Sequence, residues 1–315
     1  MSRKTSKEPQ GSVSADEFVR SLLSFEVGNL LKFDPIARRG RDPEGIHQLR
    51  VSARRLRSEL KIVAPVWRSA PLKDLQRELQ WFGQVLGEQR DLDVLRGVLS
   101  SVNEKISPRM DGSVFDRLDR EQIEKSRRVV ELLESQRYRQ LVGTLSESVI
   151  RPPLRSVACE PMDLILRPAL DTALTKIFST VDDLGPAPSN EDLHRIRILA
   201  KRGRYSAEIS SPLLGSVAKD VGKSLELVQT ILGDLHDCLA AVSYLEEERS
   251  RLNEREYDPG KALSLPPALR RLGESIERLK TQWREPLGTA RELSGSISMT
   301  SVEGLDGSGV QHEIE

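Results

Sequence analysis

Two stretches of this chain, 147 residues apart, carry the same spacing of basic residues on a helical period. His47, Arg50, Ala53, Arg54, Arg55 and Arg57 correspond at that offset to His194, Arg197, Ala200, Lys201, Arg202 and Arg204. Downstream, at an offset of 146, Leu86-Gly87 and Asp91 correspond to Leu232-Gly233 and Asp237, and Lys73 and Arg77 to Lys219 and Lys223. Identities elsewhere are sparse, so the pattern reads as an old internal duplication and predicts two related units in one chain. A length of 315 residues accommodates two such units.

The segments around the repeats are helical in period. Leu22, Leu23, Leu30 and Leu31 predict a first helix ending near Pro35. Asp42, Pro43 and Glu44 supply a cap, a first-turn proline and a first-turn acid for a second helix reaching about Val63. A third helix is expected over roughly Lys73 to Val102 and a fourth helical region over Ser113 to Ile150. After Arg151-Pro152-Pro153 the pattern resumes. A helix spans Asp163 to Val181, and the next is capped by Ser189 with Asp192 and reaches about Ser210. Pro212 and Gly215 punctuate, a long helix covers Val217 to Arg251, and a last one lies between Pro267 and Trp283. The fold expected is all-α: two pseudo-symmetric four-helix bundles, over 15–150 and 160–290, flanked by disordered tails at 1–14 and 291–315. Aromatic residues make up only 4% of the chain, which suits packing by aliphatic ridges.

Charge constrains function. The chain has 48 basic and 48 acidic residues, so it has no net field to attract a polyanion. Any anion site must arise from local segregation. On the second helix, Leu49, Ala53, Leu56, Leu60 and Val63 form the buried stripe. His47, Arg50, Arg54, Arg57 and Lys61 repeat on another stripe, with Arg55 at its edge. Like charges stacked at this spacing destabilise a helix by a few tenths of a kcal/mol per pair, so a face accepting that cost is a candidate anion ladder. In the second copy His194, Arg197, Lys201 and Arg204 form the ladder, with Arg202 and Tyr205 beside it and Ile196, Ala200, Gly203 and Ala207 as a small packing stripe. Lys73, Arg77, Lys219 and Lys223 open the following helices and are candidates to converge on the same groove. Arginine forks bind phosphate oxygens in pairs, and lysine adds a point charge.

Other chemistry is thinly represented. His47 and His194 read as phosphate contacts, with a structural hydrogen bond as the plainer alternative. His236-Asp237 lacks the further ligands of a metal site, and His312 falls in the C-terminal tail. Gly87 and Gly233 have no Gly-rich surroundings and read as close-packing positions. Trp67, Trp81 and Trp283 read as packing anchors. No catalytic constellation, metal site or cofactor is expected. Cys159 and Cys238 are too few for a disulfide framework, no apolar run approaches a membrane span, and residues 1–12 do not read as a signal peptide. The expected location is the cytoplasm.

Gly45-Ile46-His47-Gln48-Leu49-Arg50-Val51-Ser52-Ala53-Arg54-Arg55-Leu56-Arg57, followed by Leu86-Gly87-Glu88-Gln89-Arg90-Asp91, resembles the signature of the CHAD domain family. Leu193-His194-Arg195-Ile196-Arg197 with Lys201-Arg202-Gly203-Arg204-Tyr205 resembles its repeat copy. The resemblance covers roughly residues 15–290. It implies two four-helix bundles that bind inorganic polyphosphate through a basic central channel, lined here by His47, Arg50, Arg54, Arg57, His194, Arg197, Lys201 and Arg204. It also implies a standalone form without a triphosphatase domain and, for its location, polyphosphate granules. Two departures stand out: His236 replaces Arg90 in the second copy, and Leu239 replaces Asp93. Arg90 is therefore the weaker candidate ligand, and the Arg90-Asp91-Leu92-Asp93 segment an alternative ion-pair lock.

Three functions follow as hypotheses. A polyphosphate-binding module needs dense phosphate ligands and no catalytic residues. A non-specific nucleic-acid binder adds aromatic platforms, and only Tyr205 stands on the basic helices. A phosphate-processing enzyme wants metal-holding carboxylates near the cradle, for which Asp91, Asp93, Asp234 and Asp237 are the clustered candidates. Polyphosphate is the expected partner, with no specific nucleic acid and no membrane; the sequence leaves oligomeric state open.

Overall fold

A computed structural model describes residues 13–39, 43–156, 161–255 and 259–299. The expected Asp42 cap, Cys159 and His312 lie outside the described residues. Ten α-helices account for nearly all of those described: α1 (Ala15–Arg38), α2 (Pro43–Ile62), α3 (Ser69–Asn103), α4 (Ser113–Glu134), α5 (Gln136–Ile150), α6 (Asp163–Asp182), α7 (Asn190–Leu214), α8 (Ser216–Arg255), α9 (Pro259–Gln282) and α10 (Arg284–Met299). The fold is all-α; extended pairing among the described residues is limited to isolated bridges at Ser14–Pro161 and Trp67–Leu154.

Local chemistry accounts for most boundaries. Ser14 accepts from the Glu17 N–H, with Asp16 and Glu17 in the first turn of α1, where the helix dipole favours them. Val19, Leu23, Val27 and Leu30 form the buried stripe of α1, whereas Leu31 is exposed, correcting the expected stripe by one position. The helix continues past Pro35 because the ring removes a single N–H near the end, and the final turn closes through the Arg39 N–H onto Ile36. The α7 capping box forms as expected: Ser189 Oγ accepts from the Asp192 N–H at 3.1 Å, and Asp192 Oδ2 from the Ser189 N–H at 3.0 Å. Pro212 is carried inside α7, and the chain turns at Gly215, whose φ of 87° suits glycine.

Two regions differ from expectation. Ser113 to Ile150 is two helices, because the Ser135 hydroxyl accepts from the Tyr138 N–H and restarts the chain as α5. Residues 291–299 continue α10 rather than belonging to a tail, and Leu287 and Ala290 bury that helix against α8. Each side of the 151–162 connection thus has five helices rather than about four.

The core is divided among three apolar clusters. One joins α1, α2, α5 and the first part of α3; a second joins α6, α7, α10 and the first part of α8. In the third, Leu99 and Val102 of α3 and Val114 and Leu118 of α4 meet Ala241 and Leu245 of α8 and Leu265 and Leu272 of α9. The lengths of α3 and α8, 35 and 40 residues, carry them beyond their own cores into this shared one. At about 1.5 Å per residue they span roughly 50 and 60 Å. Gly45 fits the tight α1–α2 corner, since a Cβ there would lie 2.6 Å from the Ala37 backbone nitrogen. That approach delivers His47 and the basic face of α2 to α7.

Candidate functional site

The site is built where α2 meets α7. The apolar stripe of α2 (Leu49, Ala53, Leu56 and Leu60) is fully buried, as are Ile196, Ala200 and Ala207 on α7. The basic stripes are consequently pressed toward each other instead of into solvent. Arg54 Nε donates to the Tyr205 hydroxyl at 2.9 Å across the junction. Lys201 lies among Arg54, Arg57, Arg197 and Arg202, and burial together with this positive surrounding lowers its pKa to about 8. Burial also lowers that of Lys61, with Arg57 and Arg202 adding to the effect.

A cavity of about 820 Å³ opens between α2, α6 and α7. Six cations line it: Arg54, Arg57, Lys61, Lys176, Lys201 and Arg202. No carboxylate contributes to the lining, and among the described residues none of the six forms an ion pair. Their contacts are to neutral groups, such as Gln80, whose oxygen lies 3.4 Å from Arg57 Nη2. Elsewhere on the molecule arginines are tied to carboxylates: Arg38 to Asp34, Arg96 to Asp119, Arg117 to Glu121 and Glu248, Arg137 to Glu78. At this junction, then, a net-neutral chain gathers six cations around one cavity without a carboxylate partner among the described residues.

The basic row continues toward the first turns of α2 and α7. Arg50 Nη2 lies 3.1 Å from Asp91 Oδ1 and close enough to Arg197 for their charges to interact. Its guanidinium passes 3.8 Å from where a Gly87 Cβ would stand, and Arg197 passes Gly233 at the same 3.8 Å. The expectation that these glycines allow close helix packing is corrected: their neighbours are the basic side chains of the preceding helix, at ordinary contact distance. Asp237 is the charged neighbour of Arg197, as Asp91 is of Arg50. His47 is held below the usual histidine pKa by burial and by Arg90, and His194 by burial and by His236, whose ring lies 5.5 Å away. Both imidazoles thus stay neutral to lower pH than a free histidine.

Several expected ladder residues stand elsewhere. Arg55 turns into the α1–α2–α7 interior, 3.5 Å from Glu26 and 3.6 Å from Glu208. Arg204 is 9% exposed and bonded to Glu208 at 2.6 Å and Glu226 at 3.1 Å. Both leave the ladder for a buried polar network that also holds Glu59, whose pKa rises to about 8 through burial and the nearby Glu26. Positions that correspond at the 147-residue offset are used oppositely: Arg55 is interior where Arg202 lines the cavity, and Arg57 lines the cavity where Arg204 is interior. Tyr205 is 2% exposed and orients Arg54 instead of presenting its ring. At the helix starts, Arg77 is paired with Asp74 at 2.8 Å and Lys223 with Asp220 at 2.9 Å, which neutralises them. Lys73 and Lys219 are exposed, and neither lines the cavity.

Sequence reasoning missed Lys176 and the wall that carries it. Ile165, Ala169, Thr172 and Lys176 recur at helical spacing on α6, beside the buried stripe of Leu166, Leu170, Leu174 and Ile177. That second stripe, ending in a lysine, was the available signal. Among the described residues no group of three or more His, Cys, Asp or Glu side chains is placed to hold a metal ion, and no helix is long and apolar enough to cross a membrane.

Comparison with known proteins is informative at this point. The family model described as the CHAD domain matches residues 21–246. Two uncharacterized proteins of Mycobacterium tuberculosis, from strains CDC 1551 and H37Rv, are each 28% identical over 260 residues, covering 78% of this chain and 48% of theirs. The chain therefore spans about half the length of the curated relatives it matches. The crystal structure of the CHAD domain from the plant Ricinus communis superposes with a TM-score of 0.70 at 24% identity, over 89% of this chain and 93% of that one. PptA from Streptomyces chartreusis superposes with a TM-score of 0.68 at 17% identity, over 89% of this chain and all of that one. These likenesses establish the shared fold.

Proposed function

The chain belongs to the CHAD domain family, and from that premise we propose that it binds inorganic polyphosphate along the α2–α7 junction. The observation that carries the reading is the cluster of six cations around one cavity with no carboxylate partner among the described residues. An arginine or lysine beside others of its kind raises the energy of the folded protein, and an approaching polyanion relieves that repulsion. His47, Arg50, Arg197 and His194 extend the row, so successive phosphates of one chain find successive donors. The site is read as a binding surface and not a catalytic one. In support, Asp91 faces Arg50 at 3.1 Å and Asp93 accepts from Gln122 at 2.6 Å, so both carboxylates take part in contacts within the protein. Within a cell such a module would serve to hold or organise polyphosphate.

Calorimetric titration with phosphates of increasing length, from pyrophosphate to long chains, at two salt concentrations tests the proposal. Affinity should climb steeply with length and fall as salt rises, because each added contact releases counterions. A flat response to length would replace the extended row with a small-ligand pocket. Displacement of long polyphosphate by single-stranded DNA at equal phosphate concentration would favour a general nucleic-acid binder.

A further inference from the structure

The 820 Å³ cavity is not uniformly polar. Its cations stand on α2 and α7, with Lys176 at the edge of α6. The remaining wall is aliphatic: Ile62 at the end of α2 and Pro65 just after it, Ile165 and Ala169 on α6, and Ile198 and Leu199 on α7. A chain of phosphates has no surface to place against such a wall, and covering it with water-bound anions leaves its apolar area solvated. A ligand that fills the whole cavity needs both parts. The volume lies in the range of small-molecule sites, which are mostly apolar with a few directed polar groups.

We infer that this cavity is a site for a phosphomonoester amphiphile, its phosphate held by Arg54, Arg57, Lys61, Lys201 and Arg202 and its hydrocarbon laid against Ile165, Ala169 and Ile198. Charge complementarity fixes the head as an anion, since five guanidinium and ammonium groups converge without a counter-charge among the described residues. The aliphatic wall fixes the tail, since besides the cations the lining offers only the hydroxyls of Ser58, Thr172 and Ser206 for hydrogen bonding. The lowered pKa of Lys201 fits a site where an anion is the missing neighbour. The inference shares these cations with the polyphosphate reading but does not depend on it.

The test is calorimetric titration of the full chain with inorganic phosphate and with monoalkyl phosphates from ethyl to octyl, each below its micelle-forming concentration. Affinity should rise about two- to fourfold for each added methylene, the gain expected for burying hydrocarbon, until the α6 wall is covered. Ala169→Glu, a half-buried helix position whose side chain borders the cavity, should remove that gain and leave ethyl phosphate within a few-fold of the native protein, with circular dichroism confirming that the helical fold is kept. Binding independent of chain length would overturn the inference, as would a gain that survives Ala169→Glu. Flotation with vesicles of phosphatidic acid in phosphatidylcholine separates the two sources of such a head. Ala169-dependent flotation assigns a bilayer lipid and its absence a soluble ester; both retain the site. Long polyphosphate titrated in parallel keeps the two readings apart: lost length-dependence there, with the alkyl gain intact, removes the polyphosphate proposal alone.

Discussion

Arg54 on α2 donates through Nε to the hydroxyl of Tyr205 on α7, 2.9 Å away, and this bond ties the two basic helices together across their junction. The Tyr205 ring is 2% exposed, so the phenol is a fixed post that sets the direction of a flexible guanidinium. Replacing it with phenylalanine keeps the ring and deletes the acceptor. Tyr205→Phe should lower stability by about 1 kcal/mol in chemical unfolding and weaken polyphosphate binding several-fold, with Arg54→Glu weakening it far more.

Charge reversal tests the row as a whole. Arg50→Glu, Arg54→Glu, Arg197→Glu and Lys201→Glu combined should abolish polyphosphate binding while far-ultraviolet circular dichroism retains its helical signal. Binding that survives all four changes would place the site elsewhere.

Lys201 makes the binding pH-dependent. Its pKa is lowered from the ordinary 10.5 to about 8, so the folded protein holds this proton less tightly than the unfolded chain. Only the ammonium form attracts phosphate. Affinity should therefore decline as pH rises from 7 through 8 to 9, while bound polyanion raises the lysine pKa and shifts the midpoint upward. Lys201→Arg, which stays charged throughout, should flatten that decline in titrations across this range.

The opposite placement of corresponding arginines separates stability from binding. Arg204→Ala takes from Glu226 its arginine and leaves Glu208 with Arg55 alone, and should lower stability by about 1–3 kcal/mol, with polyphosphate affinity changed less than twofold. Arg202→Ala, at an exposed position lining the cavity, should do the reverse: little change in thermal midpoint and a several-fold loss of affinity.

Glu59 should be a stability sensor. Its carboxyl faces Glu26 of α1 and Glu208 of α7 with Arg55 beside it, and its pKa is raised from 4.5 to about 8. A raised carboxyl pKa means the folded state binds the proton more tightly, so its contribution is full below 4.5 and is lost as pH climbs through 8. Glu59→Gln should therefore gain stability over the native protein, by at least about 1 kcal/mol at pH 9, and show none of this advantage at pH 4.

Much of this was legible in the chain. The helix faces were readable because burial follows a 3.6-residue period: Leu49, Ala53, Leu56 and Leu60 are all buried as the stripe required. The Ser189–Asp192 box was readable because capping is a contact between neighbours in sequence. Leu31, the restart at Ser135 and helix α10 were not, since a serine in a polar stretch and a Ser/Gly-containing segment carry weak local signals, and packing against distant helices decided them.

The site divides the same way. Sequence alone determined that the protein is helical, that two segments carry matched basic residues on one face, and that a net-neutral chain must segregate charge to hold an anion. These depend on spacing along a single helix, which the order of residues specifies. Tertiary structure decided which of those cations remain unpaired. Arg55 and Arg57 differ by two positions, yet one meets Glu26 and Glu208 in the interior and the other lines the cavity. The counter-charges of Arg55 stand on α1 and α7, two other helices that packing brings close, and such a contact leaves no local trace in the sequence.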